Sequence, residues 1–476
     1  MQQHIKEVEA LSAILKGIAS QQPITLQRNQ ANSNTTRSNA YKKKGPQLDI
    51  SKLNRVIAVD AKERLAWVEP RVTMQELLRK TLPYGLAPAV LPEFKGITVG
   101  GAIMGAAIES SSHRWGQFND SCMAYDILLG DGSLVHATPQ EHSDLFYGIS
   151  GSYGTLGTVV LAELKLAPVS DMLQLSYHCF DTIAEAMQTM RSLCASPLPP
   201  DFLEAIIFNK DHTLIIAGTQ VANASKPSLS LKSSSSPWFY QHLNNTQNTQ
   251  DHIPIEDYLF RHDRGAFWMG SYFLHGSLLL RYILEGGLKI SGLPKVWPLN
   301  RTKFTTLKAP GAIFRHLLGW MMPSQTLYSF LHKGSETWSA NHLVIQDFYI
   351  PEQHALHFIE DSLDSNGITP IWICPVKATQ TPQFLAPHYQ KEKNEATKLL
   401  FDIGVYGMSP KDISTRQLTH DLELSTHRLG GRKMLYSHSY LSKEEFWQAY
   451  PEKLYRDLRK KYKAENRWLS IEEKVL

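Results

Sequence analysis

Between Lys6 and Lys16, apolar residues recur at Val8, Leu11, Ile14 and Leu15, the spacing of one helix face, and the pattern stops at Gly17. A helix is therefore expected to open the chain. Residues 23–26 read as a strand running into residues 28–37, a loop of small polar donors suited to wrapping an anion. Alternating patterns over 55–59 and 65–69 predict two strands, and Thr73-x-x-Glu76 ahead of Leu77 and Leu78 predicts a capped helix. Further strands are expected over 123–129, closed by the turn Gly130-Asp131-Gly132, and over 159–166.

After Pro168 the pattern becomes less regular, with a Ser-rich insert at 233–236 and an amide-rich loop at 244–251. Strands are predicted over 343–349, 371–374, 401–407 and 434–440, and a charged amphipathic helix over 443–463. No repeat of solenoid length occurs. The texture divides the sequence into residues 1–169, 170–440 and a helical segment 441–476 that is expected to pack back on the first part.

Composition narrows the class. The 476 residues are 42% hydrophobic, 20% charged and 10% aromatic, as in a globular protein of two or three domains. A net charge of +4 is far from the footprint of a nucleic-acid binder, so no nucleic-acid partner is expected. The four cysteines lack any C-x-x-C spacing, which points to free thiols in a reducing compartment and to no metal site. The first residues carry acidic groups where an export signal needs an apolar core. No apolar run reaches membrane-spanning length; the stretch 265–280 has no Asp, Glu, Lys or Arg but is broken by His275 and three glycines. A cytoplasmic location without a transmembrane anchor is expected. Nothing in the pattern specifies an oligomeric state.

Candidate chemistry sits in the glycine-rich segments. Residues 98–107 (TVGGAIMGAA), 110–116 (SSSHRWG) and 151–157 (GSYGTLG) are small enough for backbone N–H groups to approach a phosphate. Together with the polar loop they suggest one extended anionic cofactor. The dinucleotide fingerprint G-x-G-x-x-G is absent, since Gly151-x-x-Gly154-x-x-Gly157 has another spacing and precedes a strand, and no P-loop occurs. Turn punctuation is the competing reading for each cluster taken alone.

The order of these segments resembles the vanillyl-alcohol-oxidase, or PCMH-type, flavoprotein superfamily. Residues 96–105 and 108–116 are similar to the corresponding block of the delta-24 sterol reductases, the Diminuto/seladin family. The likeness continues through Asp131-Gly-Ser-Leu-Val, Ser143-Asp-Leu-Phe-Tyr147, Gly154-Thr-Leu-Gly157, Pro237-Trp-Phe239, Gln346-Asp347, residues 370–375, Asp402-Ile-Gly, Tyr406-Gly407 and Glu444-Glu-Phe-Trp447. It departs in the first loop, which differs from the animal version, and the N-terminal hydrophobic anchor of animal and plant members is not expected here.

The resemblance implies an α+β fold, a PCMH-type FAD-binding domain with a cap-like α+β substrate domain. It implies an FAD contact at Thr98, Val99, Gly100, Gly101, Ala102, Gly105, Ser110, Ser111 and Gly116, and another at Gly154, Thr155, Gly157 and Val159. Asn32, Ser33, Asn34 and Arg37 are the candidates for the pyrophosphate, against the alternative of a solvated loop. His113 has two equal readings, a bond to the cofactor or a structural place. Relatives with covalent FAD use a His in the first loop or a Cys before T-V-G-G; neither is present, so noncovalent FAD is expected.

The implied reaction reduces a carbon–carbon double bond in the side chain of a sterol or related isoprenoid lipid with NADPH as co-substrate, which needs a hydride and a positioned acid. Candidates for the acid are Asp402, Tyr406, Tyr436, His438 and Tyr440, each also readable as a core tyrosine or surface histidine. Phe267, Trp268, Trp320 and Trp372, with Met321, are candidates for an apolar substrate pocket or for ordinary core. Residues 265–280 and 314–322 are expected to form a membrane-facing entrance. The alternatives are an FAD-dependent oxidase or dehydrogenase of an alcohol or hydroxy acid, and a lipid-binding protein without turnover.

Overall fold

The computed structural model describes residues 1–19, 22–27, 35–38, 40–43, 45–222, 226–274, 312–332, 336–390 and 398–476. The apolar face of the first helix, Gln2–Gly17, buries His4, Val8, Leu11 and Leu15, while Ile14 stays exposed. That face packs on Leu48, Ile50, Val160 and Trp468. Two short strands, β1 (Thr25–Gln27) and β2 (Gln47–Asp49), pair in parallel beside it.

A six-stranded antiparallel sheet follows, made of β3 (Val56–Asp60), β4 (Leu65–Val68), β5 (Leu86–Pro88), β6 (Cys122–Leu128), β7 (Leu134–Ala137) and β8 (Thr158–Pro168), in the order β3-β4-β8-β6-β7 with β5 also on β8. Thr73 caps the helix Met74–Thr81 by accepting the Glu76 amide at 3.2 Å, while the Glu76 carboxylate turns to Arg79. Residues 98–105, read from sequence as glycine-rich backbone, form the short helix Val99–Gly105 capped by Thr98.

Between Pro168 and Met172 the backbone passes into a second sheet. Its eight antiparallel strands are β9 (Met172–Phe180), β10 (Phe202–Asn209), β11 (His212–Val221), β12 (Gln250–Pro254), β13 (Leu343–Pro351), β14 (Ile371–Lys377), β15 (Leu399–Met408) and β16 (Arg432–Lys433), ordered β12-β9-β11-β10-β14-β15-β13-β16. The helices Ile183–Ala195, Glu352–Asn366 and Thr415–Arg428 cover one face through Met187, Phe358, Leu418 and their neighbours. The other face shares a single apolar core with the first sheet.

Two predicted elements differ. Residues 434–440 form turns and extended backbone; pairing ends with Arg432–Lys433, so the strand alternation expected there does not exist. The tail is two helices, Lys443–Ala449 and Glu452–Lys461, because Pro451 has no N–H to continue the first. This tail returns to the N-terminal part. Arg467 donates to the carbonyls of Leu15 at 2.8 Å and Gly130 at 2.7 Å, and Arg459 to that of Thr155 at 2.5 Å.

Candidate functional site

A cavity lies between the two halves. The helix Val99–Gly105 and Tyr153 contribute from the first half, β13, β14 and β15 from the eight-stranded sheet, and residues 266–269 and 327–331 from the segments between. Its lining is mainly aliphatic and aromatic. Of the expected cofactor contacts, Arg37, Thr98, Gly101 and Gly105 line it.

The glycines separate by what a side chain would meet. A Cβ on Gly105 would meet nothing nearer than the Tyr153 ring at 3.9 Å, so this backbone is open to a ligand. A Cβ on Gly100 would press on Pro70 at 2.8 Å, one on Gly157 on Ile127 at 2.7 Å, and one on Gly116 on the Asp120 carboxylate. Those three are required by packing. Gly154 has φ +71° and its carbonyl accepts from Lys474 Nζ at 3.0 Å. Val99, Ala102, Thr155 and Val159 are buried outside the cavity lining.

Arg37 is buried at one end of the cavity. Nε donates to the Leu435 carbonyl at 3.0 Å, and Nη1 to the Tyr41 hydroxyl at 3.3 Å and to the Lys474 carbonyl. Its guanidinium lies 5.4 Å from the centre of the Tyr153 ring. Among the described residues no carboxylate is bonded to it, and its guanidinium borders the cavity. Asn32, Ser33 and Asn34 lie outside the described residues.

Ser110, Ser111 and His113 sit behind the lining. The Ser110 hydroxyl donates to Glu109 at 2.6 Å and lies 3.0 Å from the Tyr258 hydroxyl, and the Ser111 hydroxyl donates to the Ala89 carbonyl at 2.7 Å. The two His113 ring nitrogens face the Ser110 carbonyl at 3.0 Å and the Pro200 carbonyl at 2.9 Å, joining the halves. Burial lowers its pKa, so the neutral ring donates to one carbonyl only.

The acidic end is built on β13 and β15. Asp347 stands opposite Gly404 in the register, and the missing side chain at Gly404 leaves space for the Tyr406 ring, whose hydroxyl would lie 2.5 Å from a Cβ there. Tyr406 thereby folds over Gly404 and donates its O–H to Asp347. Burial pushes the Asp347 carboxyl up to about 6, held from rising further by the Tyr406 and Tyr436 hydroxyls and by Lys433. Tyr436 lines the cavity beside it, as does Glu93, whose carboxyl is raised by burial and by the nearby Glu109.

Asp402 shares the face of Tyr406, four residues earlier on β15, opposite Tyr349 and Cys374. It is fully buried outside the lining, and among the described residues neither carboxyl oxygen has a hydrogen-bond partner. Burial, then Asp347 and Glu93, raise its pKa and keep it protonated. His438 and Tyr440 lie elsewhere, their rings stacked 6.1 Å apart beside a small polar void with Thr36 and Gln346.

Phe267 and Trp372 form the aromatic wall. Trp268 lies one layer back, its indole N–H donating to the Tyr406 carbonyl at 2.8 Å, and Trp320 is 66% exposed and outside the lining. Phe267 is reached through a turn in which Gly265, Ala266 and Phe267 have φ of +84°, +44° and +60°. For the two non-glycine residues this costs about 1–3 kcal/mol each. Sequence reasoning did not select Asp347, Glu93, Phe94, Tyr153 or Tyr328 as site residues. Parity along the predicted strand 343–349, with the family-like pair Gln346-Asp347, was the available signal for Asp347.

Among the described residues no group of His, Cys, Asp and Glu could hold a metal ion, and no helix is long and apolar enough to cross a membrane. Comparison with known proteins agrees with the architecture. The family described as FAD binding domain matches residues 4–138. The Decaprenylphosphoryl-beta-D-ribose oxidase of Mycolicibacterium smegmatis is 34% identical over 132 residues, 27% of this chain and 28% of that protein. The Delta(24)-sterol reductase of Arabidopsis thaliana is 28% identical over 459 residues, 89% of this chain and 75% of that protein. That of Homo sapiens is 30% identical over 452 residues, 91% of this chain and 78% of that protein. With an FAD binding domain matched over residues 4–138 and this degree of likeness along nearly its whole length, the chain belongs to the Delta(24)-sterol reductase family.

Proposed function

We propose that this protein is an FAD-dependent oxidoreductase that reduces a carbon–carbon double bond in the side chain of a sterol or related isoprenoid lipid, with NADPH as electron donor. One observation carries the reading: an apolar cavity bounded by the FAD-binding half on one side holds, on the other, a buried carboxyl bonded by a tyrosine.

The residues present fit FAD. Arg37 offers a buried cation without a carboxylate partner among the described residues, and Gly101 and Gly105 offer backbone that a flat ring can approach. No His or Cys occurs in the described lining, which supports noncovalent binding. When bound, FAD supplies the hydride to one carbon of the double bond.

The protein's own residues do the rest. Phe267 and Trp372 orient the apolar tail of the lipid, and the aliphatic lining excludes water from the reacting bond. Asp347 holds the proton at its carboxyl and delivers it to the other carbon; a pKa of about 6 lets it be reloaded near neutral pH. Tyr406 and Tyr436 aim that carboxyl by donating to it and stabilise the carboxylate left behind. The protein works in the cytoplasm and meets its lipid at a membrane surface, where Leu317 and Trp320, 63% and 66% exposed, make the contact. Flotation with neutral and anionic liposomes tests that contact, and absence of binding to either rejects it.

The experiment for the activity is an anaerobic visible spectrum of the purified protein mixed with NADPH, then with desmosterol. Bleaching by NADPH followed by reoxidation and appearance of the saturated sterol is the expected result. A flavin that NADPH leaves oxidised, or peroxide formed without NADPH, rejects it.

A further inference from the structure

We propose that Glu204 and His262, which lie behind the cavity lining, are positioning residues that set how bulky a lipid tail the cavity admits, by fixing Phe267 and Trp372 in its wall. This rests on the lipid-reductase reading above. On β10 the residues Leu203, Ala205 and Ile207 face the helices, so Glu204 faces the cavity side, where it is fully buried. One carboxylate there serves three donors. Oε1 accepts from Arg261 Nε at 2.6 Å, and Oε2 accepts from the Trp372 indole N–H at 2.8 Å and from His262 Nε2 at 3.0 Å. Burial alone would raise this carboxyl, but Arg261 and His262 overcome it and hold the group ionised, well below the usual range.

The His262 ring lies flat against Phe267, centroids 4.1 Å apart and planes 17° from parallel. A single carboxylate therefore controls both aromatic side chains of the wall, Trp372 directly and Phe267 through His262. The backbone is arranged to the same end. Gly265, Ala266 and Phe267 take positive φ in succession, held by the Gly265 amide on the Met322 carbonyl at 2.8 Å and the Phe267 amide on the His262 carbonyl at 3.0 Å. Strain of this kind persists only where its surroundings enforce it. Here it delivers one ring to a point 5.2 Å from the Tyr406 ring, 5.2 Å from Trp372 and 5.9 Å from Phe94. Phe267 thus borders the Tyr406–Asp347 pair, and a small shift of its ring changes the room beside the reacting carbons.

The test uses full-length protein loaded with FAD. Its visible spectrum is titrated with two saturated sterols that differ by one methyl group at C24, for the wild type, Phe267→Leu, Glu204→Gln and the double variant. Flavin content per polypeptide and the thermal unfolding midpoint are measured alongside for all four, so that the preference is read on folded, loaded protein. The wild type is expected to prefer the smaller sterol, and Phe267→Leu to shift the preference toward the larger by roughly tenfold. Glu204→Gln is expected to shift it in the same direction, and the double variant to match Phe267→Leu alone. Unchanged preference in Glu204→Gln, or a double variant equal to the product of the two single shifts, overturns the inference. A wild type whose flavin responds to neither sterol overturns the lipid reading itself, and this inference with it.

Discussion

The two faces of the eight-stranded sheet are built from the same strands to opposite ends. On β15, Phe401, Ile403 and Val405 point to the helices and pack among Phe358, Ile359 and Leu418. Their neighbours Asp402, Gly404 and Tyr406 point the other way, into a region holding the raised carboxyls of Asp347, Glu93 and Asp402. A period of two thus lets one strand contribute apolar burial on one side and keep costly acids on the other. The helix face stabilises the sheet on which the acids are mounted.

The sharpest way to break this contrast is Asp347→Asn. It is expected to slow reoxidation of the reduced flavin by sterol by about 10²–10⁴-fold while reduction by NADPH is unchanged, read by stopped-flow absorbance. Equal loss in both steps would mean that the residue holds the structure and does not supply the proton. On the helix face, Phe401→Ala is expected to cost about 3–5 kcal/mol in denaturant unfolding and to leave sterol preference as it was.

A smaller effect follows from pH. The Asp347 carboxyl titrates at about 6 in the folded protein against an ordinary 3.8. The folded state holds this proton to higher pH than the unfolded polypeptide. The Asp347 contribution to stability is therefore intact below about pH 4, falls between about pH 4 and 6, and is lower by about 3 kcal/mol above that. Asp347→Asn is expected to abolish this portion of the fall, measured by unfolding near pH 4 and near pH 7. Smallest is Asp402→Asn. With no partner on either oxygen among the described residues and the acid's pKa raised by burial, stability at neutral pH is expected to change by no more than about 1 kcal/mol, and a loss of several would reveal a bonded partner.

Much of the fold was legible because it depends on local rules. The helix ending at Gly17, the Thr73 cap and the strand that runs into Gly130-Asp131-Gly132 follow from spacing and turn chemistry, while its partner Leu134–Ala137 was not predicted. The segment 434–440 misled because its alternation of side chains is not accompanied by a pairing partner beyond Lys433. In the site, Thr98-Val-Gly-Gly marked a segment that borders the cavity, but sequence does not say that Gly100 packs on Pro70 while Gly105 opens on the cavity. That distinction depends on which neighbour the fold brings up. Tyr406 was selected and its acceptor Asp347 was not, since they lie 59 residues apart and meet only through the register of β13 and β15. The pairing of Glu204 with Arg261 spans 57 residues and is equally invisible in either segment alone.

The bonds from the tail have a consequence for how the protein is made. Arg37, at the cavity's cationic end, gives one bond to the carbonyl of Lys474, and the Lys474 ammonium holds the carbonyls of Tyr153 and Gly154 at 3.1 and 3.0 Å. A ribosome delivers Arg37 early and Lys474 a full 437 residues later. The surroundings of Arg37 are therefore finished long after Arg37 emerges, and a nascent polypeptide that has already formed both sheets still lacks the bond to Lys474. On the proposed assignment of Arg37 to the cofactor, protein clipped before Lys474 is expected to keep both sheets and to hold less flavin, read as the visible absorbance per polypeptide.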